Sequence, residues 1–322
     1  MTDLIATIFT QLRPPTASRT AAPDPCWCAT PDEAYATCQQ QLAIYQQWHQ
    51  AGLIQLQRPQ IGEGRGRGPA GHEARSNVPR VILMLEGAGG VRHLDDLRSF
   101  HAAGVRLISL PFWSQASRWA GGNRSGGDLT PAGRALAAEI DYLGMIHDVS
   151  HLSEQSFWSL LDCSGPGAGK ICATHSNCRA LLAGKEHDER HLTDAQINAL
   201  LNRGGKEGGG GGIIGINLYS AFLVTGRRAK ISDVVVHLQH ICQIAGRADG
   251  IALGSDMDGG LSALDLPENL DHPRHLHRLA EALADAGFTD SQIAGFQSGN
   301  WRRFLGTSTN GTDLPIIDFQ NL

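Results

Sequence analysis

Short apolar segments alternate with longer amphipathic ones along most of this chain, and that alternation restricts the folds it can adopt. The apolar segments are nearly continuous runs of β-branched residues and Leu, as expected for strands that are buried on both faces. Seven of them are predicted strands, at residues 4–9, 81–86, 106–111, 145–150, 170–175, 213–218 and 251–256.

Helical patterns separate these strands and begin at recognisable capping residues. Thr30 and Thr130 each precede a proline at the first helical position, and Gly52 and Gly144 end the two helices. The predicted caps of the next three helices are Ser153, Thr193 and Ser232. Residues 272–306 continue as a helical C-terminal portion.

A strand followed by a helix, repeated every ~25–40 residues, predicts a parallel sheet wrapped by helices. Two closures agree with the pattern, an open doubly wound sheet and a (β/α)8 barrel. Seven strand–helix units are recognisable, one fewer than a closed barrel needs. We predict a single domain over residues 1–322, with flexible Gly-rich loops at 62–79 and 204–212.

Composition excludes several classes of protein. Hydrophobic residues make up 41% and charged residues 18%, as in ordinary globular proteins. A net charge of -5 without a basic stripe argues against a nucleic-acid partner. No apolar run reaches the roughly 20 residues that span a bilayer, and the N-terminus does not resemble a signal peptide. The odd count of 7 cysteines favours reduced thiols, so we predict a cytoplasmic protein.

Ionisable residues lie at the C-terminal ends of four predicted strands: Glu86, His151, His175 and Asp256. In a parallel barrel these ends converge on one mouth, where catalytic groups come from several strands. We therefore predict that the four residues form one constellation. Each also has a structural alternative, because a strand-end His often only makes hydrogen bonds, Glu86 can cap a helix, and Asp256 with Asp258 can form a turn.

Glu86, His151 and His175 offer a carboxylate and two imidazoles, which suit Zn²⁺ in a catalytic site. Water on such a metal reaches a pKa of about 7 and becomes a nucleophile at neutral pH. Asp256 is then predicted to act as general base or to hold a substrate amine.

Arg190 is the predicted binder of a substrate carboxylate, since Arg binds carboxylates through two parallel hydrogen bonds. The alternative is a solvated surface Arg. Asp148 is predicted to fix the local backbone or to orient a neighbouring ligand, because strand alternation directs His147 and Asp148 differently from His151.

Several motifs together resemble the membrane (renal) dipeptidase family of zinc peptidases. They are "DLTPAGRALAAEIDYLGMIHDVSHLSEQSFW", "ATHSNCRAL", "ERHLTDAQINAL", "IALGSDMDGG" and "GNWRRFL". The resemblance extends over nearly the whole chain, from 4 to 305. It implies an amidohydrolase-type (β/α)8 barrel with two zinc ions bridged by a Glu. It also implies hydrolysis of dipeptides, often with a D-residue at the C-terminal position.

The resemblance also implies residue roles. Glu86 matches the bridging carboxylate, and His151 and His175 match the imidazole ligands of the second zinc. Arg190 matches the clamp on the substrate carboxylate. Asp256 matches the acidic residue that handles the substrate amine and proton transfer.

Two features depart from the family pattern. The family begins with a strand ending in a His-x-Asp pair that holds the first zinc, whereas residues 4–9 resemble its second strand. This predicts a barrel without its first unit, through either an upstream true start or a decayed copy, and leaves open whether one or two zinc ions bind. Phe112 replaces a substrate-contacting His and cannot donate a hydrogen bond, which predicts weaker transition-state stabilisation.

The leading hypothesis is a zinc-dependent dipeptidase. One alternative is a catalytically impaired barrel remnant that binds a ligand or partner. Another is a related amidohydrolase that acts on non-peptide amides. The oligomeric state stays open, with a homodimer as the candidate assembly.

Overall fold

The computed structural model describes residues 3–12, 27–57, 78–111, 117–164, 170–182, 188–203, 211–257 and 259–306. Phe112, Asp258 and nearly all of the two predicted flexible loops lie outside the described residues. The chain divides into two compact units, Met1–Lys170 and Ile171–Leu322. The single domain over 1–322 stays a prediction.

The first unit is built around parallel strands. In chain order these are β1 (Asp3–Phe9), β2 (Gln11–Leu12), β3 (Trp27–Cys28), β4 (Gln55–Leu56), β5 (Arg80–Glu86), β6 (Val105–Ser109) and β7 (Ile146–Asp148). Their order in the sheet is β1–β5–β6–β7, with β4 also on β5 and with β2 and β3 as a separate pair. Every residue of β5 after Arg80 is buried, as its continuous apolar sequence requires.

Four helices pack around these strands: α1 (Pro31–Gln50), α2 (Leu94–Ala103), α3 (Pro131–Tyr142) and α4 (Glu154–Cys163). Three of the predicted caps are confirmed. Thr30 Oγ1 accepts from the Glu33 N–H at 3.2 Å, and Thr130 Oγ1 accepts from the Gly133 N–H at 2.9 Å. Ser153 Oγ accepts a hydrogen bond in the same way at the start of α4.

The second unit contains strands β8 (Ile171–Ala173), β9 (Ile213–Ile216) and β10 (Ile251–Leu253), parallel and in that order. Its helices are α5 (Asp194–Leu201), α6 (Ile231–Ala245), α7 (Leu276–Asp285), α8 (Asp290–Ala294) and α9 (Asn300–Leu305), with a π-helical turn at Gly295–Gly299. Thr193 caps α5 through a reciprocal capping box with Gln196, as predicted.

The predicted cap Ser232 is wrong. Helix α6 begins at Ile231, so Ser232 lies inside its first turn. Asp233 Oδ2 accepts from the Lys230 N–H at 2.7 Å and satisfies the helix start instead.

Two glycines let the strands of the second unit approach closely. A Cβ on Gly215 or on Gly254 would overlap the carbonyl oxygen of Thr174. Side chains at these two positions would therefore push the strands apart. The close approach lies directly beside His175.

Among the helices of the described ranges, none is long and apolar enough to cross a membrane.

Candidate active site

Glu86 ends the central strand of the first unit and is only 9% exposed. The chain turns at once, because Gly87 takes a left-handed φ of 88° that favours glycine. The Gly87 N–H donates to Ser109 Oγ at 2.8 Å, which ties this turn to the end of β6. The Glu86 carboxylate is thus held at a strand end by rigid backbone.

His151 follows β7 and meets Glu86. Its Nε2 lies 2.8 Å from Glu86 Oε1, and the imidazole is buried. Asp148 accepts from both the N–H and the hydroxyl of Ser150, at 3.2 and 2.7 Å, which confirms its predicted role in the local backbone. The carbonyl oxygen of His151 accepts from the Asn123 N–H at 3.0 Å. The loop that carries the imidazole is therefore fixed on both sides.

His147 contacts a different part of the molecule from His151. Its Nε2 lies 2.9 Å from Asp141 Oδ1 on α3. The two histidines have different partners because β7 ends at Asp148, before His151.

In the second unit, His175 comes two residues after β8 and is 7% exposed. Its Nδ1 lies 2.7 Å from the hydroxyl of Thr174. This contact orients the ring and engages Nδ1, so Nε2 is the nitrogen suited to a metal.

Glu86 and His151 bring a carboxylate and an imidazole together in the first unit, and His175 offers a second buried imidazole in the other unit. A carboxylate with two imidazoles is a donor set that zinc and related transition metals accept. The residues present therefore fit a divalent metal ion.

Arg190 is buried, so the solvated-surface alternative is wrong. Its Nη1 donates to Ser176 Oγ at 3.1 Å, and its guanidinium carbon lies 5.2 Å from the ring centre of Phe222. A guanidinium keeps its charge when it is buried and can stack on an aromatic ring. These contacts hold the positively charged guanidinium of Arg190 in a fixed orientation.

Asp256 comes three residues after β10 and has a left-handed φ of 57°. It begins a turn, because its carbonyl oxygen accepts from the Gly259 N–H at 3.1 Å. Its carboxylate Oδ2 accepts from Asn217 Nδ2 at 2.9 Å. The turn interpretation is thus confirmed for Asp256, while its carboxylate is also engaged by a side chain from another strand end.

Asn177 and Asn217 were not predicted, although both lie just after strand ends. The Asn217 N–H donates to Asn177 Oδ1 at 2.9 Å, and Asn177 Nδ2 donates back to the Asn217 carbonyl at 3.1 Å. Their position after the strands was a usable signal. Asn is common in turns, however, and its partners lie far apart in the sequence.

The sequence profile of the membrane dipeptidase family, peptidase family M19, matches residues 34–313. The chain belongs to the membrane dipeptidase family. Together with the parallel α/β architecture, this membership confirms the predicted amidohydrolase-type barrel class, and it confirms the resemblance.

Individual relatives agree with the family assignment. A protein of the pqqA 5′ region of Klebsiella pneumoniae, itself uncharacterised, is 34% identical over 83% of this chain and 94% of its own length. Dipeptidase aclJ of Aspergillus oryzae is 29% identical over 73% of this chain. The chain matches 54% of aclJ, so it spans about half the length of that dipeptidase.

A solved metallopeptidase from Rhodobacter sphaeroides has the same fold, with a TM-score of 0.69 and 25% identity. The match covers 86% of this chain and 76% of that chain. That structure holds a phosphinate mimic of the dipeptide L-Ala-D-Ala.

Proposed function

We propose that this protein is a zinc-dependent dipeptidase that hydrolyses the peptide bond of a dipeptide with water. The observation that carries the proposal is the buried contact of Glu86 Oε1 with His151 Nε2 at 2.8 Å, two of the three predicted metal ligands. Family membership and a dipeptidase among the relatives support it.

The three residues would hold the metal through one carboxylate and two imidazoles. Zinc at such ligands supplies Lewis-acid polarisation of a carbonyl and a water that ionises near neutral pH. The protein keeps these ligands rigid through Gly87, the Ser150 turn and the Thr174 hydroxyl. Rigid ligands reduce the reorganisation that the reaction would otherwise require.

Arg190 would bind the substrate's terminal carboxylate. Its contacts with Ser176 and Phe222 fix the guanidinium, so less side-chain entropy is lost when a carboxylate binds. Both ends of a dipeptide are charged. A guanidinium that binds the terminal carboxylate would therefore select substrates by their length as well as by their charge.

Asp256 would accept a proton at Oδ1 during the reaction, or pair with the substrate ammonium. Its other oxygen, Oδ2, is held by Asn217. A carboxylate that is fixed at one oxygen presents the second in a defined direction, which is what general acid–base catalysis requires.

L-Ala-D-Ala is the substrate of first choice for a test, because the Rhodobacter relative binds a mimic of it. Release of D-Ala by zinc-supplemented protein is measured for the wild type, for His151→Ala and for His240→Ala. His240 on α6 contacts Asp194 on α5 at 2.7 Å and is not a proposed ligand, so it serves as the matched control.

We expect the wild type and His240→Ala to release D-Ala and His151→Ala to be inactive. A metal-loaded wild type that is no faster than His151→Ala would reject the proposal and favour the barrel-remnant alternative. The cytoplasmic location, the homodimer and the number of zinc ions stay predictions from the sequence.

A further inference from the structure

Asp256 has a backbone conformation that is uncommon for residues other than glycine. Its φ is 57°, and only Asn269 shares a left-handed φ among the non-glycine residues that the structure describes. Most L-residues avoid the left-handed region, and Asp and Asn tolerate it best. Such a conformation persists where surrounding contacts impose it, and it is concentrated at functional sites.

The contact that reaches the Asp256 side chain comes from Asn217, which follows β9 and is fully buried. Asn217 Nδ2 donates to Asp256 Oδ2 at 2.9 Å. The other side of the amide, Oδ1, accepts from the Tyr219 N–H at 2.6 Å. Because a backbone N–H can only donate, this second bond fixes which end of the amide faces Asp256.

Asn177 fixes the backbone of Asn217 from the opposite side. Its amide bonds both the N–H and the carbonyl of Asn217, at 2.9 and 3.1 Å, and its Nδ2 also donates to the Phe222 carbonyl at 2.9 Å. Asn177 is 1% exposed. A buried amide whose donors and acceptor are all engaged has a single orientation.

We propose that Asn217 is a positioning residue that holds the Asp256 carboxylate through Oδ2 and so directs Oδ1 at the reacting group, with Asn177 keeping Asn217 in place. The proposal rests on the role of Asp256 in the proposed dipeptidase reaction. Asn217 acts through Asp256 and does not itself touch the substrate.

Asn217→Asp tests the proposal, because Asp has the same shape and can still accept from the Tyr219 N–H. A carboxylate in place of the amide has no N–H to donate and, when both groups are ionised, repels Asp256. We expect kcat for L-Ala-D-Ala to fall about 10- to 100-fold, the range for a lost hydrogen bond to a charged group. KM and bound zinc per chain should stay close to the wild-type values.

Asn198→Asp is the matched control. Asn198 is exposed on α5, and its Oδ1 accepts from Asn202 at 2.8 Å. The same chemical change there keeps an acceptor and should leave kcat unchanged.

Gly259→Ala disturbs Asp256 from the other side and guards against misfolding of the first variant. A Cβ on Gly259 would overlap Asp256 Oδ1, while the φ of Gly259 lies outside the left-handed region. The added methyl group should therefore displace the carboxylate and lower kcat, again with KM and zinc content retained.

A crystal structure of Asn217→Asp adds a readout that does not depend on turnover. We expect the Asp256 carboxylate to rotate away from position 217. Full kcat in a folded Asn217→Asp protein, or an unmoved Asp256 carboxylate, would overturn the inference. If the wild type hydrolyses no dipeptide, the proposed function fails, and the position of the carboxylate in the variant still decides the positioning claim.

Discussion

Oε1 of Glu86 lies 2.8 Å from Nε2 of His151, although the two residues are 65 positions apart in the sequence. Both side chains are buried. Glu86 ends β5 and His151 follows β7, and β6 lies between these two strands in the sheet. A buried carboxylate is costly unless a cation or several donors compensate it. A buried carboxylate at this position therefore agrees with the proposed metal site.

Glu86→Gln should weaken zinc binding by more than the ~10–100-fold that loss of a supporting residue costs, because a carboxylate ligand becomes a neutral amide. Zinc retained after dialysis against a competing chelator measures the change. Glu139→Gln is the control, since Glu139 pairs with Arg98 at 2.7 Å on α3. Equal zinc retention in Glu86→Gln and wild type would exclude Glu86 as a ligand.

Arg190→Lys should raise KM for L-Ala-D-Ala about 10-fold or more with a smaller effect on kcat. Lys keeps the charge but loses the bidentate geometry and the stacking on Phe222. An amide substrate without a carboxylate should be affected little, which separates dipeptide binding from general amidohydrolase activity. Arg227→Lys, a change in the surface pair with Asp233, is the control. An unchanged KM in Arg190→Lys would contradict the predicted role.

His237 should make the protein less stable as the pH falls. Burial lowers the pKa of His237 from 6.5 to about 4, and its imidazole accepts from the Cys178 N–H at 3.1 Å, which requires the neutral form. Between these two pH values the unfolded chain binds a proton that the folded chain does not. The free energy of unfolding should therefore decrease with falling pH, by on the order of 3 kcal/mol over the whole window.

Urea denaturation of wild type and His237→Gln at pH 7 and pH 4.5 isolates this contribution. The variant should be less stable at pH 7 but should lose less stability on acidification. Parallel losses in the two proteins would show that His237 is not the group responsible.

Gly254→Ala should destabilise the second unit and weaken zinc binding together. The added methyl group would overlap the Thr174 carbonyl oxygen and would meet the Gly215 backbone at 3.0 Å, next to His175. Overpacking of this kind typically costs about 1–3 kcal/mol. Thermal unfolding and zinc titration check both effects, with Gly299→Ala as a control whose methyl group would lie 3.3 Å from its nearest neighbour. Normal stability and normal zinc affinity in Gly254→Ala would contradict the prediction.

The sequence predicted the strands well because their cores are apolar runs that no exposed segment would tolerate. It predicted their ends less well. Pairing stops at Asp148, Ala173 and Leu253, so the functional side chains lie in loops after the strands. Backbone pairing ends where neighbouring strands diverge, and a single sequence does not contain that information.

Helix starts were predictable only where a local side chain caps the helix. Helix α2 (Leu94–Ala103) was missed, and its N-cap residue His93 makes no side-chain capping bond. Residue type alone predicts Ser232 as the cap of α6. In the structure Asp233 instead accepts from the Lys230 N–H at the start of this helix. Competing local acceptors cannot be ranked from residue type alone.

The candidate site residues could be predicted because imidazole and carboxylate groups at strand ends are unusual. Asn177 and Asn217 carry no such signal, and the contact of Asn217 with Asp256 joins residues 39 positions apart. Only the folded chain shows that these amides are fully engaged.

The proposed zinc ligands are tested most directly by diffraction from crystals grown with zinc, measured at the zinc absorption edge. We expect an anomalous peak about 2.0–2.2 Å from a Glu86 oxygen and from one nitrogen each of His151 and His175. A zinc-saturated crystal with no peak at these residues would contradict the proposed metal site.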